Sequence, residues 1–399
     1  MNSFSGNTTA YFLTFVFLCG AHFFSPVCCN WSNAATGNAA TGNVTIGTAV
    51  DCNVVFKPDA MVSFAHFLMG VSKVMPVGSS FSPEVFAYFR GKRFESESDG
   101  MHIRILTRFM KAASEKCSDL HDFELKVYHT ALGKKSVFEY YRNLIRVLNS
   151  NNLNQIDLNQ SDQKEFRRSF LHLYRAFQTS LSGSGNAVGQ MMKNIETTEE
   201  YAVFRENLNL VNSFLAPDRN ITEIRVVPVF LHVGGSDVQA LRAMGISGVF
   251  GLNLDQLQVI ELPLIDGMPV VTLKGLSHLY AVTLHEICHY YYYRSSLCSK
   301  LVEIHAGNDR KLRHLLAEAL ATALGNGLYF TAMKNEDPQW YADPAINGLA
   351  HRIIPLIQSE MEKGNAIGEA FMKYIVESAA ESADESAAAR ALEMSAKTP

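Results

Sequence analysis

The sequence predicts an α+β protein: a helical N-terminal half, a small sheet, then a second helical block. Three observations predict it. Apolar stripes at helical spacing run through residues 60–215, short β-branched segments occupy 221–273, and helical spacing returns after 275. The chain has 399 residues, 47% of them hydrophobic and 19% charged, with a formal net charge of −4. That apolar content excludes a mainly disordered chain. The near-balance of charge argues against a nucleic-acid binder, and none is expected as a partner.

The leading fifty positions carry no side-chain charge, the first being Asp51 and the first basic residue Lys57. Residues 10–29 are an apolar run interrupted by His22 and Pro26, too short and broken for a comfortable span of ~20 apolar residues. Residues 1–29 are therefore expected to be a signal peptide or an anchor. Residues 30–53, rich in Gly, Asn, Ala and Thr, read as a flexible linker, with ordered structure beginning near Val54. Export, to the periplasm or outside the cell, is the expectation, although no Lys or Arg precedes the run. The alternative is a chain anchored to the membrane by this uncleaved segment alone. Beyond the leader, Cys52, Cys117, Cys288 and Cys298 fit either two disulfides or four buried thiols, and lack the spacing of a cysteine zinc site.

Residues 54–215 form the mainly helical part. One stripe joins Val137, Tyr141, Leu144, Ile145 and Leu148; another joins Phe166, Phe170, Leu173 and Phe177. SLSGSGNAVG, 180–189, is a loop without phosphate-cradle spacing. In 216–377, ITEIRVVPVFL, ISGVFGL, LQVIEL and MPVVTL read as strands. Residues 378–399 are an Ala/Glu-rich tail.

Chemistry is concentrated where the strands give way to helices. His285-Glu286-Ile287-Cys288-His289 is H-E-x-x-H. On a helix, positions i and i+4 share one face about 6 Å apart, so both imidazoles reach one ion, for which Zn²⁺ is suited. Glu286 projects beside the metal, placed to take a proton from the water it activates. Leu276, Tyr280, Leu284, Ile287 and Cys288 supply the apolar face, with Ser277 as expected N-cap.

A catalytic zinc wants a third protein ligand. DRKLRHLLAEALATALGNG reads as a second helix capped by Asn308 or Asp309 and ended by Gly325. Glu318 is its only acid, set among Ala and Leu, where a carboxylate is costly unless exposed, paired or metal-bound. Small neighbours Ala317, Ala321 and Thr322 would permit close approach to the first helix. Glu318 is the expected third ligand, and His314 the alternative ligand or outer partner. Glu303 and His305 are less suited, falling in a connection. An oxyanion stabiliser is also needed, and Tyr341 and His351 are the weaker catalytic candidates; Tyr290–Tyr293 read as packing.

HEICH followed after 28 residues by Glu318 within AEALATAL resembles the gluzincin branch of the zincin metallopeptidases. The resemblance covers roughly 245–330, and the helical half is similar, loosely, to N-terminal regions of uncharacterised bacterial metallopeptidases. It departs from the thermolysin-type second motif, because Ala317 precedes Glu318 and Thr322 and Ala323 follow. It implies a zincin-like domain over 216–377, with a small mixed sheet on the H-E-x-x-H helix. It also implies one Zn²⁺ per chain on His285, His289 and Glu318, and an edge strand that holds an extended peptide. Residues 254–262 are the expected edge. The function implied is zinc-dependent hydrolysis of peptide bonds in a peptide or protein substrate. An exported binding protein, or a zincin scaffold that captures peptides without hydrolysis, is the alternative. Hydrolysis of a non-peptide amide stays open, because the motif specifies the nucleophile and not the substrate.

Overall fold

The sheet is assembled from both ends of the sequence. A computed structural model describes residues 52–72, 97–150, 160–181, 192–218, 221–233, 250–265, 268–269, 276–334, 339–341 and 343–381. The leader, most of the 180–189 loop and the tail beyond 381 lie outside the described residues. The first strand, β1 (Asn53–Phe56), pairs in parallel with β2 (Glu223–Val233), from Asn53 opposite Glu223 to Phe56 opposite Val226. β3 (Phe250–Leu254) and β4 (Leu257–Ile265) form an antiparallel hairpin, and β4 runs parallel to β2. A short β5 (Met268–Pro269) pairs with β4, so the order is β1-β2-β4-β3 with β5 off that path. The predicted α+β class is observed: helices dominate, and the sheet is small and mixed.

Pro228 sits inside β2 without breaking it, because its nitrogen points to the side that β1 leaves free after Val226. At the other end, Leu254 pairs with Leu257, leaving Asp255 and Gln256 as a two-residue turn. Asp255 takes φ 59 there, as such tight turns require. Residues 254–262 are therefore not the edge. They cover that turn and most of β4, an interior strand flanked by β2 and β3. Among the described residues the edge next to β4 is β3. The alternating pattern looked the same in both strands, and only pairing distinguishes them.

Side-chain alternation assigns the two faces. Val227, Val229, Leu257 and Val259 point into a layer built by α1 (Ala60–Val71), α2 (Glu97–Ser114), α3 (Leu120–Ala131), α4 (Val137–Ser150) and α5 (Gln160–Leu181). Phe166, Phe170, Leu173 and Phe177 are all buried there, as their stripe predicts. Among the described side chains of α4 the buried ones are Val137, Tyr140 and Leu144, with Tyr141 and Ile145 only partly covered; Leu148 lies outside them. Ile224, Val226, Ile260 and Leu262 point the other way. That layer holds α6 (Glu199–Leu215), α7 (Ser277–Tyr293), α8 (Ser296–Ala306) and α9 (Arg310–Ala321). It is completed by a π-helical turn (Thr322–Gly327), α10 (Leu328–Ala332), α11 (Pro344–Glu362) and a last helix over 369–381. The boundary at 215/216 is thus not a break in packing, since α1–α5 lie on the same sheet that carries α7.

Three details differ from the sequence reading, and one alternative is decided. Ser277 is the first helical residue of α7 and does not cap it, because the backbone of Leu276 is already helical. Gly325 does not end the second helix, which passes through the π-helical turn into α10. Glu303 and His305 lie on α8 instead of in a connection. No disulfide joins the four described cysteines, so of the two readings the disulfide one is not observed.

Candidate metal centre

The H-E-x-x-H segment is held on several sides. Tyr280, on the face of α7 turned from the site, donates its hydroxyl to the Ile195 carbonyl. Its ring meets Phe56 and Phe204 with centroids 5.8 and 5.4 Å apart. At the C-terminal end, Arg294 pairs with Asp255 of the hairpin turn at 3.2 Å. Asp218 accepts from the Ser296 hydroxyl and amide at 2.8 and 3.0 Å. The helix carrying Glu318 starts at Asp309, whose carboxylate accepts from the amides of Lys311 and Leu312.

Two glycines set the depth of the site. A Cβ on Gly325 would lie 2.5 Å from the His285 backbone, so the π-helical turn presses directly on the ligand-bearing turn of α7. A Cβ on Gly251 would lie 2.4 Å from the Glu286 carboxyl. Edge strand β3 therefore rests on the side chain of Glu286, and no larger residue fits at either place.

The structure brings His285, His289 and Glu318 together. One ligand atom from each lies within 4.8 Å of the others, forming a group that could hold a metal ion. The imidazole Nε2 atoms are 3.1 Å apart, His285 Nε2 is 3.5 Å from Glu318 Oε2, and His289 Nε2 is 3.4 Å from Oε1. Bonds of about 2.0–2.1 Å to a tetrahedral ion would set neighbouring ligands about 3.3–3.4 Å apart. Each of these separations is close to that spacing, with the two imidazoles facing different oxygens of the Glu318 carboxylate. Nδ1 of each histidine is buried and makes no hydrogen bond with the described residues, leaving Nε2 as the engaged atom.

The electrostatics follow from this crowding. Burial pushes the Glu318 carboxyl up, but His289 and His285 outweigh it and hold Glu318 well below the usual carboxylate range. Burial pulls His289 down, and the Glu318 charge more than compensates, leaving that imidazole above its ordinary value. Glu286 is raised by burial, with the two histidines opposing and Glu318 adding to the rise. Glu286, a carboxylate of elevated basicity, thus stands beside the Glu318 carboxylate, which is held ionised.

The remaining candidates fall in different places. His314 Nδ1 is 4.0 Å from Glu318 Oε1 on a half-exposed side chain, beside the carboxylate and outside the converging three. Tyr341 donates its hydroxyl to Glu318 Oε2 at 3.0 Å and stacks along His285 with centroids 5.9 Å apart. Burial, and then the Glu318 charge, push its phenol well above the ordinary range. His351 is not among the converging side chains; it stacks on the Trp340 indole, with centroids 3.6 Å apart. Glu303 and His305 do not join the group.

Of the tyrosine run, Tyr290, Tyr291 and Tyr292 are buried as packing, as expected. Tyr293 is 62% exposed and stacks on His289, with centroids 6.2 Å apart. The sequence analysis grouped it with the packing tyrosines, although position i+4 from His289 was the signal of a different place. It also missed Gly251, whose place inside a strand marks close approach by another group.

No protein-family model, curated protein or solved structure matches this chain.

Proposed function

We propose that the chain is a zinc-dependent metallopeptidase with a zincin-like arrangement in its C-terminal half. One observation carries the reading: two imidazole nitrogens and a carboxylate converge within 4.8 Å of one another beside a buried, more basic carboxylate. His285, His289 and Glu318 would hold the ion, which when bound supplies a Lewis acid for a carbonyl and acidifies water. Glu286 accepts the proton from the attacking water, a task its raised basicity suits, and passes it to the departing amine. β3 is the terminal strand beside β4, and its Gly251 contacts Glu286. An extended peptide pairing with β3 would therefore run past the proton acceptor. Peptide or protein is the proposed substrate, and the apolar leader supports export as the setting.

The test separates this reading from peptide capture without hydrolysis. Metal analysis of gently purified protein should find one zinc per chain, absent from His285→Ala. On a proteome-derived peptide library, cleavage should stop with a chelator and return with zinc. Glu286→Gln should keep the zinc and lose the cleavage. Zinc retained with no cleavage by the wild type supports capture, and absence of zinc overturns both.

A further inference from the structure

We propose that Asn326 and Asn347 are positioning residues for the metal centre: they clamp the Trp340–Tyr341 backbone so that the Tyr341 hydroxyl is delivered to Glu318. The inference rests on the metal-binding reading of His285, His289 and Glu318. Residues 339–341 belong to neither helix nor strand, so no backbone ladder fixes them. Two side-chain amides do so instead. Asn347 Oδ1, in the first turn of α11, accepts from the amides of both Trp340 and Tyr341, at 2.9 and 3.1 Å. Asn326 Nδ2, in the π-helical turn, donates to the Trp340 carbonyl at 2.6 Å. Three main-chain groups at Trp340 and Tyr341 thus end on two asparagines from different elements.

The ring of Trp340 locks the same segment. It fills the space beside Gly327, where a Cβ would lie 2.7 Å from the indole, and it stacks on His351. Asn326 follows Gly325, the residue pressed against the His285 backbone. The π-helical turn therefore touches a metal ligand through one residue and holds the Tyr341 segment through the next. π-helical insertions are frequent at functional sites, and here the widened turn explains how adjacent residues serve both contacts. Reversing the Asn326 amide would set oxygen against the Trp340 carbonyl oxygen, so its orientation is fixed.

The chemistry needs this tie. A carboxylate ligand has two oxygens and a rotatable bond, and an outer donor fixes which way its plane lies. Removing such a partner costs about 10–100-fold in metal affinity. Asn347 acts through Tyr341, so its loss should be equivalent to loss of the phenol hydroxyl.

The experiment is a cobalt titration of the full chain after metal removal, with hydrogen exchange followed at the Trp340 and Tyr341 amides. Asn347→Leu should weaken cobalt binding about tenfold or more and expose both amides. Asn347→Asp keeps an acceptor oxygen and should restore affinity and protection. Asn326→Asp turns the donor into an acceptor facing a carbonyl and should repeat the Leu variant's loss. The double variant Tyr341→Phe/Asn347→Leu should bind no more weakly than Tyr341→Phe. Losses that add, an Asn347→Leu protein that binds like the wild type, or an Asn347→Asp protein as impaired as Asn347→Leu each overturn the clamp. A wild type that takes up no cobalt overturns the metal reading itself, and is thereby told apart from failure of the clamp.

Discussion

The two faces of the sheet each bury polar side chains among apolar ones, and they do so in opposite ways. On the N-terminal layer, His66 hydrogen bonds through Nδ1 to the Tyr128 hydroxyl and through Nε2 to Glu261 Oε1, both at 2.6 Å. His66, Tyr128 and Glu261 are all fully buried. Each group there ends on a complement, and the chain ties α1 and α3 to β4. On the other face, His285, His289 and Glu318 aim their ligand atoms at one point, with Nδ1 of both histidines left without a partner among the described residues. Polar groups that satisfy one another hold a fold together. Groups that converge are arranged for something that arrives between them.

That contrast can be broken at either end. The largest expected effect is on the converging face, where Glu286→Gln should lower peptide cleavage by about 10²–10⁴-fold. Its metal content should be unchanged, as read by elemental analysis. Next is the paired face. Glu261→Ala strands His66 in the interior and should cost about 3–5 kcal/mol in urea unfolding. A neutral result there would remove the distinction between the two faces.

Glu124, buried on the paired face, sharpens the comparison. Burial, with a contribution from Asp119, pushes its carboxyl up to about 8. The folded protein then holds a proton that the unfolded chain releases near 4.5, so stability is full below that pH. It falls as pH rises towards 8 and levels off above it. Glu124→Gln should flatten this decline and gain on the order of a few kcal/mol at neutral pH. An identical pH profile in the two proteins would place Glu124 in solvent. The smallest effect expected is for Gly325→Ala, about 1–3 kcal/mol from overpacking against the His285 backbone. It should also weaken metal binding, measured by chelator competition.

The sequence made the site legible to the extent that its chemistry is local. His285, Glu286 and His289 lie within five residues, so helix periodicity alone puts both imidazoles on one face. Glu318 was legible for a different reason, as a lone carboxylate in an apolar helix that required some partner. Tyr341 was found as a residue type in a loop, but its contact with Glu318 depends on Asn326 and Asn347, which no periodicity connects. In the fold, the stripe of Phe166, Phe170, Leu173 and Phe177 announced its own burial. The edge strand did not, because alternation specifies which face a residue takes and says nothing about which neighbour a strand has. Gly325 was misread for a related reason. A glycine near a helix end looks the same whether it releases the backbone or admits another chain to contact distance.

The parallel pairing of β1 with β2 has a consequence in time. Asn53 and Glu223 are neighbours in the sheet although the chain between them runs from 53 to 223. A chain emerging from its N-terminus must therefore present β1 long before its partner exists, and the helices that follow reach completion without the strands beneath them. Contacts of such long sequence separation form late and slowly. The residues of the candidate metal centre, at 285 to 318, emerge later still. Assembly of the sheet and of the site is accordingly one late event, and residues 54–215 alone would expose the apolar underside that β2 and β4 cover.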